Sequence, residues 1–451
     1  MSENEKNETQ PPLTIAMVVD TSGNRGNGTS NSALQWAQEL ERQGHHVRLV
    51  GIGAPEYPAR VNHVPLVSWV AKKQQMQFAE PSDTLFRKAF DGVDVVHIYT
   101  PFRFGQHACK VAKQMGIAVT AGYHVQPENV TYSAGPLKYV PGIDSFIYWL
   151  FDIWLYRKID HVHVPTELGA SLLRSHGYKS KLHVISNGYE SRFTPKRQRK
   201  ADEPSPVPFR IVASGRLTNE KNHVALIRAI ARCRHAQDIE LVIAGTGPLK
   251  KRLQRMAGRL LSRPASIGFH RNADMPALLR SGDLLVHPSI ADLESVSVIE
   301  GMAAGLVPVI ASSSLSAAGQ FALLDESLFP VDDVDALARR IDWWIDHPAQ
   351  LAKWGGTYAK HTKTNYSVES SVRKFVAMER EAIADTRRGM APAAIAIQSL
   401  YISEKPGAIS RLSLFCGLSF TAVRPARPPA CRSWPSWCRC ASRYACRPPF
   451  P

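Results

Sequence analysis

The apolar positions of this chain fall into short continuous runs separated by stretches of helical spacing. That is the pattern of strands buried on both faces alternating with amphipathic helices. The first run, Leu13 to Val19, is followed by a glycine-rich stretch at Gly23 to Thr29, by helical spacing over Ser32 to Gln43, and by a second run at His46 to Val50. This order is a βαβ unit opening a parallel sheet. Further strands are expected at Val93–Tyr99, Ile117–Ala121, His161–Val164 and Lys181–Ile185, so residues 13–195 read as one α/β domain. Apolar periodicity stops over residues 196–208, which read as a solvated linker. A second α/β domain is expected over residues 209–365. Its strands are Phe209–Ser214, Ile239–Ala244, Leu284–His287 and Leu306–Ala311, and its helices Asn222–Arg234, Leu249–Leu261, Met275–Ser281 and Val334–Asp346. Helical spacing returns from Val368 to Ala384, and residues 366–388 are expected to form a terminal helix that ends the fold.

Composition changes the picture mainly at the two ends. Residues 1–12 are expected to be disordered, because Met1 to Gln10 is polar and acidic; no secretory signal is read there. No stretch reaches the ~18–20 apolar residues of a membrane span, so a cytoplasmic body is expected. The formal net charge is +16, but no acid follows Glu404, and the eight cations beyond it leave +8 for residues 1–404. A moderately basic body suits an enzyme that meets anionic substrates and an anionic membrane face; it lacks the dense basic stripe of a nucleic-acid binder, and no nucleic-acid partner is expected. Only Cys109 and Cys233 precede the tail, so no disulfide framework supports the body. Residues 389–451 turn to Pro, Arg, Cys and Trp without period and are expected to be disordered; Cys438-Arg-Cys440 has no partner at zinc spacing.

The chemistry concentrates in residues 288–311. A strand stops at Pro288, a helix is expected from Ser295 to Ala304, and the acids Asp292 and Glu300 lie at this strand-to-helix switch. In an open α/β sheet, ligands bind beyond the carboxyl ends of strands, where helix N-termini offer N–H groups to phosphate. Gly215-Arg216-Leu-Thr-Asn-Glu220-Lys221 occupies the same kind of position after Phe209–Ser214, which makes Arg216 and Lys221 the best phosphate partners. Ala244-Gly245-Thr-Gly247-Pro248 is a turn before a helix, and His124 falls at the carboxyl edge of the first sheet. A nicotinamide dehydrogenase would need Gly-x-Gly-x-x-Gly and an acid after the second strand. Here Gly23, Gly26 and Gly28 are spaced differently, and Leu49-Val50-Gly51-Ile52 offers no carboxylate.

Taken together, these segments resemble the group-one retaining nucleotide-sugar glycosyltransferases over about residues 13–385. The string His124-Val-Gln126-Pro127-Glu128-Asn129 resembles bacterial enzymes that glucosylate diacylglycerol. The resemblance implies an α/β chain of two Rossmann-like domains facing across a cleft (GT-B). It implies transfer of a hexose, glucose from UDP-glucose, to a lipid hydroxyl, with no metal and no cofactor beyond the donor sugar nucleotide. His124 and Asp292 would position the hexose, and Arg216 and Lys221 would hold the leaving diphosphate. Gly28, Gly215, Gly245, Gly247, Glu294, Ser295 and Glu300 would line the donor site, Glu300 holding the ribose hydroxyls. The family's first acid is normally glutamate followed by a Phe-Gly-like pair, whereas Asp292-Leu293-Glu294-Ser295 stands here, so Asp292 or Glu294 fills that role. The rival readings are a phosphatidylinositol mannosyltransferase-like or soluble-sugar glycosyltransferase and, from other classes, a nucleotide-dependent oxidoreductase, which the glycine spacing argues against, or a non-catalytic nucleotide-sugar binder. The aromatic segment Phe146 to Lys158 reads as a core helix; beside Lys72, Lys73, Arg87 and Lys88 it also offers a route to a membrane interface.

Overall fold

A computed structural model describes residues 10–22, 28–62, 76–133, 139–196 and 208–402, without the side chains of Ser133 and of residues 390–402. The expectations for residues 1–9, Gly23 and Gly26, Lys72 and Lys73, most of the linker, and the tail beyond Ile402 fall outside the described residues. The first sheet comprises β1 (Thr14–Thr21), β2 (His46–Ile52), β3 (Tyr57–Pro58), β4 (Val95–Ile98), β5 (Ala118–Gly122), β6 (His161–Val164) and β7 (Lys181–Val184). The second comprises β8 (Phe209–Ser214), β9 (Ile239–Ala244), β10 (Ser266–Gly268), β11 (Leu284–His287), β12 (Val307–Ser312) and β13 (Leu328–Pro330). Their orders are β3-β2-β1-β4-β5-β6-β7 and β10-β9-β8-β11-β12-β13, with all pairs parallel. Each order reverses direction beside its first strand, and such a switch point opens a crevice for ligands at the strands' carboxyl ends.

The continuous apolar runs are explained by burial on both faces. Along β1, Ala16 and Val18 join a core with Phe86, Phe104 and Val162, while Ile15, Met17 and Val19 alternate into a second core with Trp36 and Leu40. The helix after β1 spans Gly28–Arg42, four residues earlier than its apolar spacing predicts. Its first turn is tied to the strand end by the Ser30 hydroxyl, which donates to the Thr21 carbonyl, a contact that periodicity does not register. Short strands such as β3, β10 and β13 were not expected, because two or three residues carry no period.

The largest departure concerns the end of the chain. The helix expected over residues 366–388 spans Val368–Ile402. The Ala-rich run from Ala391 to Ala396 favours helix there despite Gly389 and Pro392. This helix completes the first domain rather than the second. Val368, Val372, Phe375, Val376, Met378 and Ile383 pack into the core of Leu13, Ile15, Met17 and Trp36. The crossing is fixed by backbone: Tyr189 N–H donates to Tyr366 (3.0 Å), and Val368 N–H donates to Tyr189 (3.1 Å). Phe375 is fully buried, with its ring 4.8 Å from both Trp36 and His97. Phe375→Ala is therefore expected to destabilise the protein by about 3–5 kcal/mol, measured by urea denaturation; a loss below ~1 kcal/mol would show that the helix is not part of this core.

Candidate functional site

The two sheets direct their carboxyl ends toward one cleft of about 830 Å³, lined from the first domain by Gly28, Asn31, His124, Gln126 and Asn187, among others. From the second come Gly215, Arg216, Lys221, Gly245, Asp292, Glu294, Ser295 and Glu300. Of the residues to which the sequence assigned a catalytic or donor-binding role, the structure thus brings all to the cleft except Gly247, which is not in its lining.

The glycines act through backbone proximity. A Cβ at Gly245 would stand 1.9 Å from the Gly215 carbonyl oxygen, and one at Gly247 would stand 2.5 Å from that of Leu217. Only bare backbone lets the turn after β9 lie against the loop after β8, where Leu217 N–H donates to Thr246 (2.8 Å) and Leu249 N–H donates to Leu217 (3.0 Å). That packing presents Arg216. Two non-glycine residues beside the key side chains adopt left-handed backbone: Asn222 (φ 49°), following Lys221, and Ser295 (φ 69°), following Glu294. Such conformations cost about 1–3 kcal/mol each and persist where the surroundings enforce them. Here the enforcement includes Ile290 N–H (2.7 Å) and Ser289 Oγ–H (3.2 Å), both donating to the Glu220 carbonyl and lacing the two loops together.

The charged groups are arranged in pairs. The Lys221 ammonium donates to Asp292, and His287 Nε2–H donates to the same carboxylate at 3.1 Å. Burial alone would raise Asp292, but the Lys221 charge and the His287 hydrogen bond hold it well below the usual carboxylate range. Arg216 Nη2 lies 3.3 Å from the buried Glu220, whose carboxylate also accepts from Thr218 Oγ1 at 2.6 Å. Sequence reasoning missed His287 and Glu220 as partners, because nothing in their spacing announces a contact. His124 stacks on Tyr99 with ring centroids 4.7 Å apart; burial, followed by His163 and His97, pushes it well below the ordinary histidine value, so the ring is neutral.

The two candidate first acids part company. Glu294 reaches across to the loop after β7, where its carboxyl receives the Ser186 hydroxyl, the Asn187 side-chain amide and Asn187 N–H (2.9 Å). One residue earlier, Leu293 packs into the first domain's core and its carbonyl accepts from Thr166 Oγ1 (2.9 Å). Glu294 is a tie between domains with its oxygens engaged, whereas Asp292 stands in the cleft beside Lys221. The signal for this tie is the polar Ser186-Asn187-Gly188 directly after a strand, which carried no assignment in the sequence reading.

Two acids in the cleft bind protons tightly. Burial raises Glu294 to about 7 despite the Ser186 and Asn187 hydrogen bonds. Burial likewise raises Glu300 to about 8, opposed by the Arg192 charge and aided by Glu190. Both values exceed the ordinary 4.5, so the folded state holds protons that the unfolded chain has released, and stability falls as pH rises from about 4.5 to about 8. Glu300→Gln, which mimics the protonated form, should flatten that decline by on the order of 1 kcal/mol, measured by urea denaturation across the window; parallel wild-type and variant curves would remove Glu300 as a source.

Comparisons agree with this geometry. Residues 26–193 match the family model Glycosyltransferase Family 4, and residues 195–361 match Glycosyl transferases group 1. The chain is 25% identical over 377 residues to a GDP-mannose-dependent alpha-mannosyltransferase of Corynebacterium glutamicum, covering 77% of this chain and 86% of that protein. It is also 25% identical to the alpha-monoglucosyldiacylglycerol synthase of Streptococcus pneumoniae, over 66% of this chain and 71% of that one. Among solved structures, Anabaena HepE in complex with UDP and glucose is 14% identical with a TM-score of 0.60 over 82% of this chain and all of that one. Sucrose-phosphate synthase from Thermosynechococcus elongatus is 17% identical with a TM-score of 0.62 over 83% of this chain and all of that one. Two α/β domains, a shared cleft and two consecutive family matches make this chain a group-1 glycosyltransferase with the GT-B fold.

Proposed function

We propose that the chain transfers glucose from UDP-glucose to the hydroxyl of a lipid such as 1,2-diacylglycerol, with retention at the anomeric carbon and without a metal at the diphosphate. In this reading Arg216 and Lys221 stabilise the charge that develops on the leaving diphosphate, Glu300 binds the ribose hydroxyls, and Asp292 and His124 orient the hexose. The acceptor hydroxyl attacks the face from which the diphosphate departs, and a leaving phosphate oxygen takes its proton. The neutral state of His124 suits it to hydrogen bonding with a sugar rather than to carrying charge.

The observation that carries the lipid acceptor is an apolar surface on the first domain. Tyr139 (76%), Phe146 (51%) and Trp149 (52%) are exposed on or next to the helix Ile143–Trp154, and the Phe146 and Trp149 rings stack at 5.7 Å. The exposed Arg157 and Lys158 follow, with Arg87 and Lys88 exposed elsewhere on the same domain. Aromatic side chains flanked by cations suit an anionic membrane surface. No helix of the described residues is long and apolar enough to cross a membrane, which is consistent with peripheral contact. The relative from Streptococcus pneumoniae supports the glucose and diacylglycerol reading by its name. A second reading pairs a phosphatidylinositol-type acceptor with GDP-mannose as donor; the donor alone draws support from the name of the mannosyltransferase of Corynebacterium glutamicum, which aligns over more of this chain.

Incubation with UDP-glucose, GDP-mannose and a panel of lipid and soluble acceptors, with products identified by mass spectrometry, separates the readings. Glucosyl diacylglycerol is the expected product; a mannosylated product alone would transfer the assignment to the second reading. Arg216→Gln and Lys221→Gln should each lower kcat by about a hundredfold or more, measured by steady-state kinetics beside a thermal melt; near-normal turnover would remove the residue from the diphosphate site. Joint replacement of Phe146 and Trp149 by serine should lower activity on anionic vesicles by about tenfold or more, since each aromatic contributes on the order of 1–2 kcal/mol of burial. The same variant should keep its activity on a short-chain soluble acceptor; an equal loss on both would place these rings outside the membrane contact.

A further inference from the structure

One group of histidines lies at the back of the cleft, and of its members only His124 has a part in the proposed transfer. His97 on β4, His124 just beyond β5 and His163 on β6 come from three adjacent strands, and one ring nitrogen of each lies within 4.8 Å of the others. His97 Nε2, His124 Nε2 and His163 Nδ1 are buried without any hydrogen-bond partner. Orphaned buried polar atoms are uncommon, and three facing one another call for a physical account.

The opposite nitrogens fix the tautomers. His163 Nε2–H donates to the Ile185 carbonyl at 2.6 Å, so its Nδ1 is a bare lone pair. Thr120 gives its hydroxyl proton to the fully buried Glu379 (2.8 Å), so its oxygen accepts from His97 Nδ1–H at 2.8 Å, with Glu379 Oε1 3.1 Å from the same nitrogen. His97 Nε2 is therefore a lone pair as well. Neither lone pair can satisfy the other, and a proton on His124 Nε2 serves only one of them. Space is reserved between the rings: a Cβ at Gly122 would stand 2.3 Å from His124 Nε2 and 3.2 Å from His97 Nε2.

Three converging imidazole nitrogens, two of them aligned from behind by a carboxylate and a carbonyl, are a donor set for a borderline-soft divalent cation. We propose that His97, His124 and His163 bind one divalent transition-metal ion of the zinc type, with Glu379 of the terminal helix and the Ile185 carbonyl orienting the ligands. Metal–nitrogen bonds of about 2.0–2.1 Å bring such nitrogens to about 3.3 Å apart, within reach of small ring rotations from the present spacing. Because His124 also lines the cleft, the ion would restrict the remaining proton of that ring to Nδ1, making it a fixed hydrogen-bond donor and removing it as a base. The ion is distinct from the diphosphate site, and the inference does not depend on which sugar or acceptor is used.

A second cluster, His161, His183 and Glu381, is the natural control. Its groups are already satisfied, with His161 Nδ1 3.0 Å from His183 Nε2, His161 Nε2–H donating to Asp385 at 2.9 Å, and Lys181 donating to Glu381. The test strips the full chain with a chelator and titrates it with Co2+, read by visible absorption, then with Zn2+, read by displacement and by Tm. Saturable uptake of one equivalent with nitrogen-ligand d–d bands, and a rise in Tm with Zn2+, is the expected result. Glu379→Gln, close in shape to the native side chain, should weaken Co2+ affinity about 10–100-fold, while His183→Ala leaves it unchanged. No saturable uptake by the stripped wild type overturns the proposal. So does uptake that His183→Ala abolishes and Glu379→Gln leaves intact.

Discussion

The first domain depends on the return of a helix from the far end of the sequence. Its sheet is apolar on both faces, and one of those faces is covered in large part by Val368, Val372, Phe375 and Val376. An exposed parallel sheet face of Val, Ile and Met is not a stable state in water, since burial is worth roughly 25 cal/mol per Å². The helix also brings Glu379 to Thr120 and His97, a carboxylate delivered across 259 positions of sequence to the region behind His124. Because the chain crosses at Tyr189, Tyr366 and Val368 to reach this position, the segment that completes the first domain also fastens it to the second. Glu294, on Ser186 and Asn187, adds a polar tie at the cleft itself.

Within the cleft, the pairing of Lys221 with Asp292 contributes placement more than stability. Removing two charges from water costs about as much as their attraction returns, so a buried pair is close to break-even, whereas loss of one partner is costly. Each side chain is held ready by the other until a ligand arrives. In the proposed reaction a diphosphate competes with Asp292 for the ammonium, and His287 remains as the carboxylate's second partner. The left-handed Asn222 and Ser295 belong to the same arrangement, since both loops are laced through Glu220 and cannot relax independently.

How far the sequence revealed this follows from the range of each interaction. The βαβ order, most strands and the clustering of Arg216, Lys221, Asp292 and Glu300 at strand ends were legible, because period and position along one strand–helix unit are local properties. The helix at Val368 was legible as a helix and illegible as a partner of β1, because amphipathic spacing says that a face is buried and not against what. Glu294 stood two residues from Asp292 and was indistinguishable from it by motif. What separates them is a loop more than a hundred positions away that satisfies one and leaves the other at Lys221. The histidines at 97 and 163 read as ordinary strand residues until adjacent strands set them side by side.

Burial of the acids also decides the sign of the cleft. Asp292, Glu294 and Glu300 all line it, and three carboxylates would oppose any diphosphate; a like-charge pair 8 Å apart costs about 2 kcal/mol at an effective dielectric of 20. Only Asp292 is held firmly ionised, and it does so beside a cation. Burial raises Glu294 and Glu300 to about 7 and about 8, so near neutral pH much of their charge is absent. Arg216 and Lys221, with Arg271 also in the lining, then meet little opposing charge. The same desolvation that lowers stability as pH rises thus favours an anionic ligand, and a more exposed Glu300 would relieve the first effect while weakening the second.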